Sequence, residues 1–347
     1  MYPALAVHSA LVVKVPNLDT LWVGSEGGME ASLVKRQGIH VETIPAAGVH
    51  GVRLSALPRN FVTITRGIFA ARRLLNDFKP DVLFFTGGYV AVPMALAGRS
   101  IPSLLYVPDI EPGMAIKSIA SRANVIMVTT EQSQKFFNKK VYETGYPIRA
   151  DLALWDRQTA TQHLGVAGSL PVLLVFGGSK GAHSLNLAVL NHLNALLEKF
   201  ELIHISGEQD WQLIKDTREQ LPTDIADRYH IMSYLHEMGA ALAAADIAVS
   251  RAGASSLGEY PLFGLPAILV PYPHAWRYQK VNADYLTRRG AAVVLEDHRL
   301  NDDLLPTLNV LMENPNKLKA MRAAMFQLSH PRAADKIASA LIELAGE

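Results

Sequence analysis

Short apolar runs alternate with longer amphipathic stretches along most of this chain. Leu21–Val23, Val82–Thr86, Ser103–Val107 and Val125–Thr129 come first, followed by Val172–Phe176, Leu202–Ile205, Ile247–Ser250 and Ala267–Pro271. Each run is rich in Val, Ile, Leu or Phe and bounded by Gly, Pro, Asp or Ser, the pattern of a strand buried in a parallel sheet. Their alternation with helical stretches predicts an α/β fold. The pattern pauses once, from Tyr146-Pro147-Ile148-Arg149 to Gly168-Ser169-Leu170-Pro171, and then restarts. That pause predicts two Rossmann-like domains, 1–148 and 160–330, with parallel sheets facing a cleft. From Pro331 onward an amphipathic helix closes the chain.

Two turns carry the candidate chemistry. In the first, Phe176-Gly177-Gly178-Ser179-Lys180-Gly181-Ala182 follows a strand and opens a helix of about five turns by its apolar spacing. Glycines there let backbone amides approach a phosphate, and Ser179 adds a hydroxyl. A ligand-free strand-to-helix turn is the alternative. In the second, Arg251-Ala252-Gly253-Ala254-Ser255-Ser256 places small residues and hydroxyls at a helix start, where free N–H groups and the helix dipole can hold a diphosphate. Glu259 follows one turn later, suited to accept hydrogen bonds from sugar hydroxyls, and Gln279 and Asn282 bring amides near the start of the next helix. A phosphate seat flanked by a carboxylate and two amides fits a nucleotide sugar. Arg251 either serves that site or pairs with a carboxylate under the loop.

Composition narrows the classes. The 347 residues suffice for two domains, and 49% hydrophobic against 19% charged residues indicates well-buried cores. Thirty-three basic side chains against thirty-two acidic ones leave no global field for nucleic acid. With no cysteine, disulfides and thiolate metal sites are excluded, and a cytoplasmic location fits. No apolar run reaches the roughly 18 residues of a spanning helix, and no signal-peptide pattern is visible. His8, His50, His274 and His298 lack metal-ligand spacing, so no metal is expected. There is no Asp-x-Asp motif either, which argues against a metal-dependent sugar transferase.

The segment SRAGA, a glutamate five residues on, then GLPAILVPYPHA and Q-x-x-N-A, resembles the donor-binding half of the MurG family. That resemblance implies a two-domain GT-B fold whose closing helix crosses back onto the first domain. It implies an inverting transferase that moves N-acetylglucosamine from UDP-N-acetylglucosamine to lipid I, a lipid-linked muramoyl-pentapeptide, with no cofactor. It also implies that Leu235 and Met238 flank the uracil, that Arg149 reaches the nucleotide, and that Gln279 contacts the hexose. Leu235 and Met238 as core residues, and Arg149 as a solvent-facing hinge residue, are the competing readings. Thr86-Gly87-Gly88-Tyr89-Val90 resembles the family's GGY turn on the acceptor side. Lys180 stands where the family usually has glutamine, and Tyr278 where it often has a second one.

The family pattern breaks in two places. A GGTGGH loop with a proposed catalytic histidine precedes the counterpart of Tyr2-Pro3-Ala4-Leu5-Ala6-Val7, and Met1 stands just after that point. Either the start was assigned late or the loop and the sheet's first strand are missing. The family's HEQN run also becomes Tyr106-Val107-Pro108-Asp109 ahead of Ile110-Glu111-Pro112-Gly113-Met114-Ala115. Asp109 or Glu111 is therefore the candidate base, with loop capping as the alternative. An altered acceptor, or a UDP-sugar-binding protein without activity, stays open. A dinucleotide-dependent dehydrogenase is disfavoured, because neither half shows G-x-G-x-x-G with an acidic residue about 20 positions later.

Between Arg53 and Leu75, Arg53, Arg59, Arg66, Arg72 and Arg73 interleave with Leu54, Leu57, Phe61, Ile64, Ile68, Phe69 and Leu74. Such a segment can rest on anionic lipid at the inner face of the membrane, where a lipid-linked acceptor would lie. A helix packed on its own sheet with solvated arginines is the plainer alternative.

Overall fold

Every strand pair among the described residues is parallel. The computed structural model describes residues 1–27, 34–48, 57–178, 181–273 and 276–346. The chain divides into two units, Met1–Arg149 with Arg332–Glu347, and Ala150–Pro331.

In the first unit, β1 (Leu21–Ser25) pairs with β2 (His40–Ile44), while β3 (Leu83–Phe85), β4 (Ser103–Val107), β5 (Val125–Val128) and β6 (Tyr142–Glu143) form a second sheet in that order. Strand β4 shows why these residues form a central strand. All five of its residues are buried, and the strand's two-residue period sends them to opposite faces. Leu105 and Val107 join a core with Ile44, Met94, Ile119 and Val128. Leu104 and Tyr106 join Val7, Met127, Ile337 and Leu341 on the other face. That second face is covered by α1 (Tyr2–Lys14) and the C-terminal helix Ala333–Ala345, which pack on each other. Helix α2 (Leu57–Phe78) buries Gly67, Ala71 and Leu75 at four-residue intervals. A Cβ at Gly67 would sit 2.2 Å from the Pro45 carbonyl oxygen, so only glycine lets this helix lie so close to the chain. Two short helices, α3 (Ala91–Ala97) and α4 (Met114–Ala120), follow β3 and β4.

In the second unit, β7 (Val172–Phe176), β8 (Glu201–Ile205), β9 (Tyr229–Met232), β10 (Ile247–Ser250), β11 (Ala267–Leu269) and β12 (Ala292–Val294) form one sheet in the order β12-β11-β10-β7-β8-β9. One large core joins Leu173, Val175, Leu202, Val249 and Ile268 to the helices above them. Ahead of the sheet, α5 (Arg157–Leu164) starts on a capping box in which Asp156 accepts from the Thr159 N–H at 2.8 Å, and these hydrogen bonds hold the Asp156 carboxyl below its ordinary range. The buried Glu201 carboxylate accepts from the backbone N–H groups of Ala167 (2.7 Å) and Ser169 (3.0 Å), fixing the approach to β7.

The central strands match the apolar runs. Strands β2, β6, β9 and β12 fall outside those runs: β2 reads HVETI and β6 is exposed throughout, polar as an edge strand can be, while β12 is an apolar stretch of only three residues. The helix after the first glycine turn also departs from expectation. It runs only from His183 to Asn191 as α6, breaks at His192 (φ −112°, ψ 11°), and resumes as Leu193–Leu197.

Candidate functional site

Strand order in the second unit dictates where a ligand can sit. From β7 the chain winds through β8 and β9 on one side, then returns through β10, β11 and β12 on the other. The crevice between the carboxyl ends of β7 and β10 is therefore a topological switch point, the favoured ligand site of an open parallel sheet. The two strands are in register, with Phe176 opposite Ser250. Gly177-Gly178 and Arg251-Ala252-Gly253 thus leave the same sheet edge side by side.

The first turn tolerates no side chain at two of its glycines. A Cβ on Gly177 would lie 2.3 Å from the Ala182 nitrogen, and one on Gly181 would lie 2.3 Å from the Ser206 carbonyl oxygen. Gly178 and Gly181 both have left-handed backbones (φ +87° and +75°), and the Gly181 N–H donates to the Gly178 carbonyl at 2.9 Å. Ser179 and Lys180 lie outside the described residues, as do His50, Arg53, Leu54 and His274.

The second turn is not the single helix start the sequence suggests. Ala254–Leu257 form one 3₁₀ turn, Gly258 interrupts it (φ −131°, ψ −44°), and α9 (Glu259–Phe263) begins afresh, with α6, α7 (Trp211–Glu219) and α8 (Met238–Ala244) preceding it in the chain. Ala254 and Ser255 are half-buried at the opening of the turn. Ser256 is buried, and its hydroxyl donates to the Gly253 carbonyl at 2.6 Å, so it shapes the turn from within. Glu259 stands half-buried at the first position of α9. Behind it, the buried Tyr260 hydroxyl is hydrogen-bonded to Ser250. Burial pushes that phenol up; the Ser250 bond works against this shift and the Glu259 charge adds to it.

Arg251 takes the second of the roles open to it. Its guanidinium is paired with Asp297 and donates to Ser184 Oγ at 2.9 Å and the Val270 carbonyl at 3.2 Å. It also lies 5.4 Å from the Tyr272 ring. The side chain ties three loops together, and only 9% of it is exposed. Asn282 on α10 (Trp276–Arg288) is likewise turned inward, fully buried and donating to the Ala252 carbonyl at 3.2 Å. Gln279 is half-buried and accepts from the Tyr272 N–H through Oε1 at 2.8 Å, which leaves its amide nitrogen for a ligand. Leu235 and Met238 are both half-buried and stand outside the core cluster, Leu235 beside Tyr229 and Met232, Met238 opening α8.

In the first unit, Gly87 and Gly88 have φ +107° and +86°, and Tyr89 is 56% exposed, its ring lying where a Cβ on Gly48 would come within 2.7 Å. Past the end of β4, Asp109 is half-buried and Glu111 only 5% exposed. Tyr106, at the position of the family histidine, is fully buried, with its hydroxyl 2.6 Å from Thr129 Oγ1 and donating to the Gly145 carbonyl at 3.2 Å. Burial holds that phenol far above its ordinary range, so it moves no proton near neutrality. Arg149 is half-buried, with its guanidinium 4.9 Å from the Tyr2 ring.

A polar chain inside the second unit has no counterpart in the motif reading. His183 Nδ1 lies 2.8 Å from Asp210 Oδ1, while Asn186 Nδ2 donates to Asp210 Oδ2 at 2.7 Å and to the Ser206 carbonyl at 2.9 Å. Because both partners of that nitrogen are acceptors, the amide orientation is determined. Asn186 Oδ1 then accepts from His204 Nε2 at 3.0 Å, and His204 Nδ1 accepts from the Tyr229 hydroxyl at 2.8 Å. Burial drives His204 down to about 4, against the pull of the Asp210 charge, so the ring is neutral. Only the placement of His183 directly after the glycine turn could have drawn notice in the sequence.

Two parallel α/β units with small-residue turns at their strand ends make up the GT-B architecture. The Glycosyltransferase family 28 N-terminal domain matches residues 1–142, and the family's C-terminal domain matches residues 172–337. A UDP-N-acetylglucosamine--N-acetylmuramyl-(pentapeptide) pyrophosphoryl-undecaprenol N-acetylglucosamine transferase of Roseiflexus sp. is 37% identical, over 97% of this chain and 91% of the relative. Its counterpart in Desulforudis audaxviator is 36% identical over 100% of this chain and 96% of its own length. The crystal structure of Acinetobacter baumannii MurG superposes with a TM-score of 0.77 at 26% identity, covering 99% of this chain and 95% of that one. The chain belongs to glycosyltransferase family 28 and, within it, to the MurG family.

Proposed function

We propose that this chain transfers N-acetylglucosamine, with inversion, from UDP-N-acetylglucosamine to a lipid-linked N-acetylmuramyl-pentapeptide. The observation that carries this reading is the meeting of two small-residue turns at one switch point, with Glu259 beside them. Backbone N–H groups at the two turns face the diphosphate and take up the charge that grows on it as the sugar leaves. Glu259 and the Gln279 amide bind hexose hydroxyls. The acceptor oxygen attacks the anomeric carbon, the bond to the β-phosphate oxygen breaks, and UDP departs with the electron pair. We assign the acceptor's proton to Asp109, the more exposed of the two candidate carboxylates. Buried Tyr106 in place of the family histidine favours, as a second reading, a different lipid-linked acceptor.

Labelled UDP-N-acetylglucosamine and a short-chain lipid-linked muramoyl-pentapeptide give labelled disaccharide in this account. Glu259→Ala lowers kcat/KM by about 100-fold, the loss of a charged hydrogen bond to the donor, and leaves uridine binding unchanged. Displacement of bound UDP by NADH or ADP would overturn the donor-site assignment. Transfer only to another carrier lipid would select the second reading.

The acceptor's lipid calls for a membrane-facing surface, and α2 offers one. Phe61, Val62 and Phe69 are 68%, 61% and 65% exposed, among exposed Arg59, Arg66, Arg72 and Arg73. No helix among the described residues is long and apolar enough to cross a membrane. We assign this face to peripheral contact with anionic lipid. Vesicles containing about 30% anionic lipid should bind the protein in sedimentation at low salt, and the Phe61→Ser, Phe69→Ser double variant should bind on the order of tenfold more weakly. Equal binding by the two proteins would remove this face from the account.

A further inference from the structure

Directly after the first glycine turn stands a histidine that the motifs do not contain. His183 is the first residue of α6, two positions after Gly181, and 56% of its side chain is exposed. Its Nδ1 is held by Asp210, of which 7% is exposed. Asp210 is itself immobilised from behind, because Asn186 donates to its other oxygen and is clamped in turn by Ser206 and His204. A buried carboxylate accepting at both oxygens remains an acceptor, so Nδ1 carries the proton. The second nitrogen, Nε2, then bears a proton only when the ring is an imidazolium. Neutral, the ring offers Nε2 as a lone pair, which an anion repels.

We propose that His183 is a donor-binding residue: its imidazolium, oriented by Asp210, donates through Nε2 to the diphosphate at the glycine turn, so donor binding favours the protonated ring. This rests on the donor-site reading given above. It adds to the turn's neutral N–H groups a cation that appears with the donor and can leave with UDP. Asp210 is the positioning residue of the pair. Other charged groups on the elements packed against α6 are Glu208 beside Asp210, Lys215, Asp216, Arg218 and Glu219 on α7, and Asp302 and Asp303 on the helix Leu300–Met312. Asp297 is tied to Arg251 and Ser184. Among the described residues, Asp210 alone meets the imidazole as an ion-pair or hydrogen-bond partner.

The test is calorimetric titration of the full chain with UDP-N-acetylglucosamine near neutral pH, in buffers of different ionisation enthalpy. This ligand's diphosphate has no proton of its own to exchange there, so uptake reports on the protein. Wild type should show net proton uptake on binding. His183→Ala should bind the donor about tenfold more weakly, with no proton uptake and unchanged affinity for uridine. His183→Gln, which keeps a neutral donor of similar reach, should also lose the uptake while melting like wild type. Asp210→Asn, which removes the anion that orients Nδ1, should weaken donor binding at neutral pH with unchanged affinity for uridine. Equal donor affinity in His183→Ala and wild type, or uptake that persists in the variant, would overturn the proposal. Failure of wild type to bind UDP-N-acetylglucosamine at all would instead bring down the donor-site reading beneath it.

Discussion

Gly181→Ala should lose donor binding by on the order of 100-fold and destabilise the second unit by about 3 kcal/mol or more. Two costs add. The left-handed backbone (φ +75°) strains any L-residue, and the new Cβ would sit 2.3 Å from the Ser206 carbonyl oxygen and 3.1 Å from the Gly207 Cα. Those neighbours are backbone at the end of β8, so they cannot swing aside as a side-chain tip would. The same Ser206 carbonyl accepts from Asn186, and its displacement disturbs the buried chain that holds Asp210. Gly178→Ala separates the two costs. Its φ is +87° but nothing among the described residues lies within 4 Å of the added Cβ, so only the strain of about 1 kcal/mol remains. Gly165→Ala (φ +69°, also open) controls for strain away from the turn. Thermal melts and UDP-N-acetylglucosamine titrations on the three variants check the ordering. Donor affinity in Gly181→Ala within a few-fold of wild type would remove this turn from the diphosphate seat.

The contrast between these glycines shows where the sequence is legible. Central strands such as β4 and β7 read directly, because burial on both faces demands an uninterrupted apolar run. Small-residue turns after them read nearly as well, since Gly177 and Gly181 are glycines for steric reasons that leave few substitutes. Edge strands read unevenly: β1 and β3 carry apolar runs, whereas β2 and β6 carry polar residues on a free side. Side-chain partnerships were the least legible. Arg251 could bind a ligand or pair inside the fold, and the carboxylate it pairs with, Asp297, lies 46 residues away in sequence. Ser256 and Asn282 look alike as ligand readers until burial turns both inward. The chain from His183 to Tyr229 draws its members from α6, β8, the turn before α7 and β9. No spacing within one segment could announce it, because the parallel register of β8 and β9 is what brings those residues together.

That same chain makes the second unit acid-sensitive at a pH where most carboxylates are still ionised. Native His204, sealed between Asn186 and Tyr229, stays neutral down to about 4, whereas the unfolded chain protonates it at its ordinary 6.5. Between those values the unfolded state binds the extra proton, so the stability His204 contributes is complete above 6.5 and is lost as pH falls toward 4. At about 1.4 kcal/mol per pKa unit, the full loss is about 3 kcal/mol, of which roughly half falls between pH 6.5 and 5. His230 adds in the same direction: burial lowers it, with the nearby Glu201 charge opposing. Protonation of His204 would also require the Tyr229 hydroxyl, which now donates to Nδ1, to turn its proton away and accept instead. Urea unfolding followed by tryptophan emission, at intervals from neutral pH to about 5, should show the midpoint falling across this window. His204→Gln, uncharged at every pH, should be less stable near neutrality yet lose much of this slope. An equal slope in that variant would place the acid sensitivity elsewhere and leave the chain behind Asp210 as packing alone.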